Sequence, residues 1–255
     1  AVAGGGWRLT SNKGESLGQF DWLVVTSTGV AHPRWTNTFG GEPPLVKAAG
    51  TVDNTALNVT LERLALLRTQ PVTCCLLAYE DEAAAAWADL PFVKAKVQED
   101  EVLSHIVVKR LSPTLTAVVL HSTHAFSQRV AAVYGATSTA ARVGAAATDV
   151  DAERAVLREL TGASRKRLAQ LLQPAHIDNP AWGPFLHRWG AAFPQAPLLP
   201  EASTIIPSAA VAFAGDFVEN ARSGSVEGAA LSGLQTAEAL ATLLSSNGNG
   251  AKLQM

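Results

Sequence analysis

Residues 211–240 read "VAFAGDFVENARSGSVEGAALSGLQTAEAL". The run from Val211 to Ala214 has no large polar group, as expected of a strand buried on both faces. Gly215 lets the backbone near the strand's end come close to another group. Asp216 follows at the carboxyl end, the edge at which open α/β sheets take their ligands. A carboxylate there can accept hydrogen bonds from sugar or ribityl hydroxyls. After a polar loop comes a helix, starting near Val226 and made of small residues. Its first turn, Val226, Glu227, Gly228 and Ala229, offers unpaired N–H groups and the positive end of the helix dipole, which suit an electron-rich acceptor. Gly233 falls in mid-helix, where Gly is about 1 kcal/mol worse than Ala, and close helix-to-sheet packing would explain it. Two explanations compete for this lack of bulk: a bound group that the backbone must approach, or close packing of helix on strand.

The rest of the chain narrows the choice. Its 255 residues are 47% hydrophobic and 16% charged, enough for one large domain or two modest ones with a sizeable core. A net charge of −2 with scattered Lys and Arg argues against nucleic acid or an anionic membrane as partner. No stretch approaches about 18 uninterrupted apolar residues, so no membrane span is expected. The start lacks a secretory layout. Cys74 and Cys75 are adjacent, which disfavours a disulfide between them, and they lie in the apolar run "TCCLLAY". Buried thiols are expected, in a reducing intracellular compartment, the cytoplasm or an organelle. No metal site is expected: His121 and His124 have no Cys or acid at matching spacing. The sequon at Asn58 lies in a helical pattern and carries little weight.

"WRLTS", the turn at Asn12-Lys13-Gly14 and "FDWLVVTS" predict strand, turn, strand, the second covered on both faces. Residues 29–44, rich in Gly and Pro, predict a loop. A helix is expected over 54–68, then a strand at "VTCCLLAYE" after Pro71. Residues 81–90 suggest a surface helix or loop. "SHIVVKR" and "TAVVLHST" suggest an antiparallel pair, and "HAFSQRVAAVYG" a short helix stopped by Gly135. Residues 136–147 suggest an insertion or flexible loop. Thr148 or Asp149 is placed to cap a helix carrying Ala152, Val156 and Leu160, and "ASRKRLAQLLQ" suggests a second. Glu99–Glu101 reads as a solvated turn. The aromatic, Pro-bounded "NPAWGPFLHRWGAAFP" precedes the final strand and helix, and a polar tail begins at Ser245. This order predicts a discontinuous domain whose two ends meet in one sheet.

The quoted stretch resembles the C-terminal flavin motif of the amine-oxidase-type FAD oxidoreductases, and within them is most similar to the renalase-like branch. "FLHRWGAAFP", "AVVLHSTHAFSQRV" and "GGWRLTSNKGESLGQFDWLVV" resemble further segments of that branch, in order, so the likeness covers most of the chain. The resemblance implies an α/β plus α+β protein: a Rossmann-like FAD-binding domain, incomplete here, with an antiparallel-sheet substrate domain inserted. Residues 1–45 and 204–245 would form the first, residues 46–203 the second, and 246–255 a flexible tail. Gly215 and Asp216 would contact the ribityl or pyrophosphate region of FAD. Val226, Glu227, Gly228 and Ala229 would border the flavin. Hydride would pass to the flavin from a small molecule, a dihydronicotinamide or an amine. In the segment before the last strand, Arg188 suits a substrate phosphate or carboxylate and Trp189 a planar ring. The alternatives for this pair are an Arg188 ion pair with a surface acid and a Trp189 packed between domains.

The chain departs from the family in two places. The strand, Gly-x-Gly-x-x-Gly turn and helix that hold the ADP pyrophosphate have no counterpart; neither Gly4-Gly5-Gly6 nor Gly248-Asn249-Gly250 supplies them. A missing N-terminal segment or a second chain is therefore expected to complete the FAD site. After "FDWLVV", "TSTGVAHP" stands where the family has an Ala-x-Pro turn. The alternatives to an enzyme are a non-catalytic homologue acting as a binding or interaction module and, less favoured for want of a Gly-x-Ser-x-Gly elbow, an α/β hydrolase.

Overall fold

A computed structural model of the chain describes residues 6–11, 13–136, 138, 141 and 149–250, without the side chains of 247–250. The chain divides into two compact units. Unit 1 runs to Thr69 and resumes at Phe193; unit 2 is Gln70–Ala192. Residues 46–69 and 193–203 therefore go with unit 1, not with the inserted unit. The reason lies in the core: Leu57, Leu61 and Leu64 pack with Val25, Leu199, Phe213 and Phe217.

Unit 1 opens with a hairpin, β1 (Trp7–Thr10) and β2 (Ser16–Phe20), paired antiparallel. The indole N–H of Trp7 donates to the carbonyls of Ala209 and Ala210, each at 3.0 Å. The stretch expected as one strand is two: Phe20 closes β2, and β3 is Leu23–Val25 in a different sheet. That sheet has the order β3–β10–β9, with β9 at Ile205–Ile206 and β10 at Val211–Phe213. β3 and β10 pair parallel, Leu23 beside Val211 and Val25 beside Phe213, although nearly 190 positions separate them. β10 is fully buried. β3 is not covered on both faces as expected, because it forms the sheet's edge and Val24 is 44% exposed.

The expected loop over 29–44 instead folds into a 3₁₀ turn, Thr28–Val30, and the start of two short helices, α1 (Arg34–Phe39) and α2 (Pro44–Ala49). Pro44 occupies a first helical position, where its missing N–H is not needed. α3 spans Thr55–Leu66, capped by the Asn54 side chain. The last helix (numbered α8 in chain order) spans Val226–Gly250, so 246–250 continue the helix instead of forming a flexible tail.

Unit 2 is a five-stranded sheet packed against helices, its first four strands in spatial order paired antiparallel. The strand order is β5–β6–β7–β4–β8: β4 (Arg68–Glu80), β5 (Lys94–Lys96), β6 (Leu103–Ser112), β7 (Leu115–Ser122) and β8 (Trp182–Gln195). β4 begins ahead of Pro71, which lies near the strand's start and whose carbonyl receives His124. α4 (Asp81–Ala88) is a helix exposed at Asp81, Glu82 and Ala85, and its inner face is anchored: Trp87 is fully buried, stacks on Tyr79 and donates to the His176 carbonyl at 2.8 Å. α5 is His124–Arg129, ending ahead of Gly135. Residues 150–168 form one helix, α6, instead of two; Asp149 caps it by accepting from Asp151 and Ala152. α7 is Pro174–Asp178. Asp100, expected in a solvated turn, instead accepts from the backbone of Val102 and Leu103 and pairs with Arg167 at 2.9 Å. Most of the stretch 136–147 and the capping position Thr148 lie outside the described residues. Among the described residues no helix is long and apolar enough to cross a membrane.

Candidate functional site

The carboxyl ends of β3 and β10 lie side by side in unit 1. Ala214 donates to the Val25 carbonyl at 3.0 Å, continuing the parallel pair to the edge at which Gly215 and Asp216 leave the sheet. The Asp216 carboxylate sits half-buried there. Burial pushes its pKa above the ordinary carboxylate value, and the N–H groups of Asp216 and Phe217 act in the opposite direction. Gly215 is confined by its own loop: a Cβ would meet the Phe217 ring at 2.5 Å and the Thr26 carbonyl at 3.4 Å.

The loop over 217–225 is held by its own short polar side chains, a feature missed in the sequence. Asn220 donates to the Val218 and Gly228 carbonyls, Ser223 to those of Val218 and Asn220. Ser225 donates to the Arg222 carbonyl and accepts from the Gly228 N–H at 3.0 Å, which makes it the cap of α8. The signal was available as the spacing of Ser225 to Gly228. Gly228 has a local cause as well: a Cβ would lie 2.1 Å from the Arg222 carbonyl oxygen. Val226 is 89% exposed, and Glu227 faces Arg222 at 3.5 Å. The helix start is thus open at Val226 and Glu227 and closed at Gly228 by the loop itself.

Further along α8, small residues serve close contact with β10. Gly228, Ser232 and Thr236 recur every fourth position and are buried. The Ser232 hydroxyl accepts from the Gly215 N–H at 3.2 Å, and that of Thr236 reaches the Phe213 carbonyl at 3.4 Å. Gly233 does not share this role, since a Cβ there would meet nothing within 4 Å. The expectation that close packing explains Gly233 is corrected.

The loop leaving β3 carries two further residues that sequence reasoning passed over. The His32 ring contacts the Leu67 carbonyl at 2.9 Å. The Arg34 guanidinium donates to the hydroxyls of Thr28 and Thr69. Burial lowers its pKa, and it makes no ion pair among the described residues. A groove of ≈ 780 Å³ runs along β3, with Trp7, Leu9, Val24, Thr26, Leu45 and Ala48 among its walls. A second cavity, of ≈ 580 Å³, touches Thr204, Val218, Ser232 and Gln235 but neither Asp216 nor Val226.

Arg188 and Trp189 belong to unit 2, on β8. Arg188 has no surface acid as partner among the described residues. Its guanidinium lies over the Tyr134 ring at 5.5 Å, its Nε is buried without a hydrogen bond, and burial lowers its pKa. Trp189 is 56% exposed and meets His187 edge-on at 4.6 Å. No cluster among the described residues is suited to a metal ion. Cys74 and Cys75 are buried and free, and burial pushes both thiols up to about 12.

No family model matches the chain, and no curated protein matches it. Among solved structures it is similar to cyclohexylamine oxidase from Brevibacterium oxydans IH-35A, with a TM-score of 0.53 and 18% identity. The match covers 94% of this chain and 46% of the oxidase, so the chain spans less than half of that enzyme's length. At this identity the likeness shows the fold alone: nearly the whole chain takes the fold of part of an amine oxidase.

Proposed function

We propose that the chain is the flavin-edge portion of an FAD-dependent oxidoreductase of the amine-oxidase type, renalase-like in its motifs. The observation that carries this reading is the meeting of two features at one sheet edge. Asp216 leaves the carboxyl end of a parallel pair and its carbonyl accepts from Gly224, two residues ahead of α8, which opens with Val226 and Glu227 exposed. The amine-oxidase fold of the chain supports it. When bound, the flavin would supply the redox chemistry, accepting a hydride from a small substrate such as a dihydronicotinamide or an amine.

The residues present fit the flavin end of FAD. The amides of Val226 and Glu227 would donate to the pyrimidine edge, with the helix dipole favouring negative charge there. Ala229 would keep bulk away. The Asp216 carboxylate would accept from ribityl hydroxyls, and a group already disfavoured by burial gains from such partners. Gly215 and Gly228 would serve by letting the strand tip and the loop assume this shape, since their own loop fills the space beside them. Arg188 and Trp189 are the unit 2 residues proposed to hold the substrate's anionic group and planar ring. The ADP end finds no Gly-rich turn here. Either a preceding segment or a second chain would supply it, and the groove along the open edge of β3 suits an added strand.

One observation favours a second reading, a non-catalytic homologue that keeps the fold as an interaction module. The Arg222 carbonyl that fills the space at Gly228 explains that glycine without a cofactor. The two readings separate on flavin retention. In the protein expressed with whatever coding sequence precedes residue 1, Asp216→Ala should lose about 1.5–3 kcal/mol of FAD binding while the fold survives. Flavin absorbance after gel filtration measures this, and full retention by the variant counts against the role given to Asp216.

A further inference from the structure

The antiparallel register of unit 2 sorts its side chains by face. Cys75, Leu120 and Ile106 align in one row and point into the core. The row on the opposite face is Lys96, His105, His121 and Cys74, one residue from each of four neighbouring strands. The next row on that face is Lys94, Val107, Val119 and Leu76, and a third holds Lys109, Ala117 and Ala78. Apart from the buried Cys74, the three lysines are exposed and the rest are partly buried.

This face is divided in a way that the chain as a whole is not. The chain carries a net charge of −2, yet every ionisable residue in these three rows other than Cys74 is basic; the acid Glu80, aligned with Leu115, falls in the row after them. The His105 and His121 rings lie 6.4 Å apart, edge to face. Burial lowers the pKa of both, and the charged groups that lower them further are all cationic: Lys94, Lys96 and His124 at His105, with His105 and Lys94 at His121. Beside this basic row lies an aliphatic strip of Val107, Val119 and Leu76. Neighbouring strands lie about 4.8 Å apart, so the strip from β6 to β4 is about 10 Å across, the length of a fused two-ring system.

We propose that this face binds a small, planar, apolar molecule bearing a carboxylate, with the rings on Val107, Val119 and Leu76 and the carboxylate at Lys96, His105 and His121. A carboxylate there pairs with Lys96 and accepts hydrogen bonds from the imidazoles, in a row that has no acid of its own, whereas an ammonium group would meet the like charge of the lysine. Binding at this face does not depend on the flavin reading.

The test titrates the 255-residue chain, by calorimetry and by imidazole NMR shifts, with 2-naphthoate, 2-naphthalenemethanol and 2-naphthylmethylamine. The acid is expected to bind about tenfold tighter than the alcohol, and the amine more weakly than either. Lys96→Gln with His105→Gln should bring the acid down to the alcohol's affinity and leave the alcohol unchanged. Lys96→Gln alone, at an exposed position that the fold does not need, should lower the acid's affinity in part. Equal binding of acid and amine, no binding of the acid, or an acid affinity untouched by both variants would overturn the proposal.

Discussion

Gly228 and Gly233 lie five positions apart in one helix, yet they call for opposite outcomes. Helix propensity alone favours Ala at both by up to about 1 kcal/mol. At Gly233 nothing opposes the methyl group, so Gly233→Ala should raise stability by about that amount. At Gly228 the new Cβ would press on the Arg222 backbone carbonyl, which a side-chain shift cannot relieve. Gly228→Ala should therefore lower stability by about 1–3 kcal/mol. Urea denaturation of the two variants decides it, and equal effects would show that the loop over α8 yields. Asp216 gives a pH-dependent case. Its folded pKa is raised above 3.8 by burial, so the folded state holds the proton longer than the unfolded chain does. Stability contributed by the protonated form is present at low pH and lost as pH rises from about 4 through the folded value. Asp216→Asn should thus unfold slightly later than the parent at pH 7, by at most about 2 °C for a half-exposed group. The gap should close near pH 3. A variant less stable than the parent at pH 7 would mean that the charge is satisfied within the chain.

Among the elements, α8 and β10 make the contact on which the site depends. Ser232 and Thr236 tie the helix to the strand tip, so Ser232→Ala and Thr236→Val should each lower stability by about 0.5–1.5 kcal/mol, read from the denaturation midpoint. These hydroxyls were visible in the sequence but carried no period distinct from the surrounding small residues. Much else at this scale was legible. The apolar runs of β3 and β10 foretold one sheet shared by opposite ends of the chain, and the two strand-like runs of β6 and β7 on either side of Pro113 foretold an antiparallel pair. What was not legible turned on partners distant in sequence. Trp87 in an Ala-rich acidic segment gave no sign that Tyr79 and the His176 carbonyl would bury it. Val24 sits in a run apolar enough for a central strand, and its exposure follows from which strands lie beside β3, which composition does not encode. The short helices α1 and α2 were hidden because Pro, read as a breaker, stands at their starts.

At the scale of the whole molecule, the two units have separate cores, and the residues proposed for the flavin edge all fall in unit 1. FAD gains much of its hold from contacts to its pyrophosphate, and the residues available here offer only a few hydrogen bonds worth about 1 kcal/mol each. Ordering the ligand offsets much of that, so the 255-residue chain by itself should bind FAD weakly or not at all. The most direct measurement is therefore made on the protein expressed with the coding sequence upstream of residue 1. Its flavin absorbance after gel filtration is compared with that of the 255-residue chain and of the Asp216→Ala variant. We expect the longer protein to retain FAD, the variant to lose part of it, and the 255-residue chain to retain none. A longer protein that emerges colourless and takes up no added FAD would contradict the flavin reading.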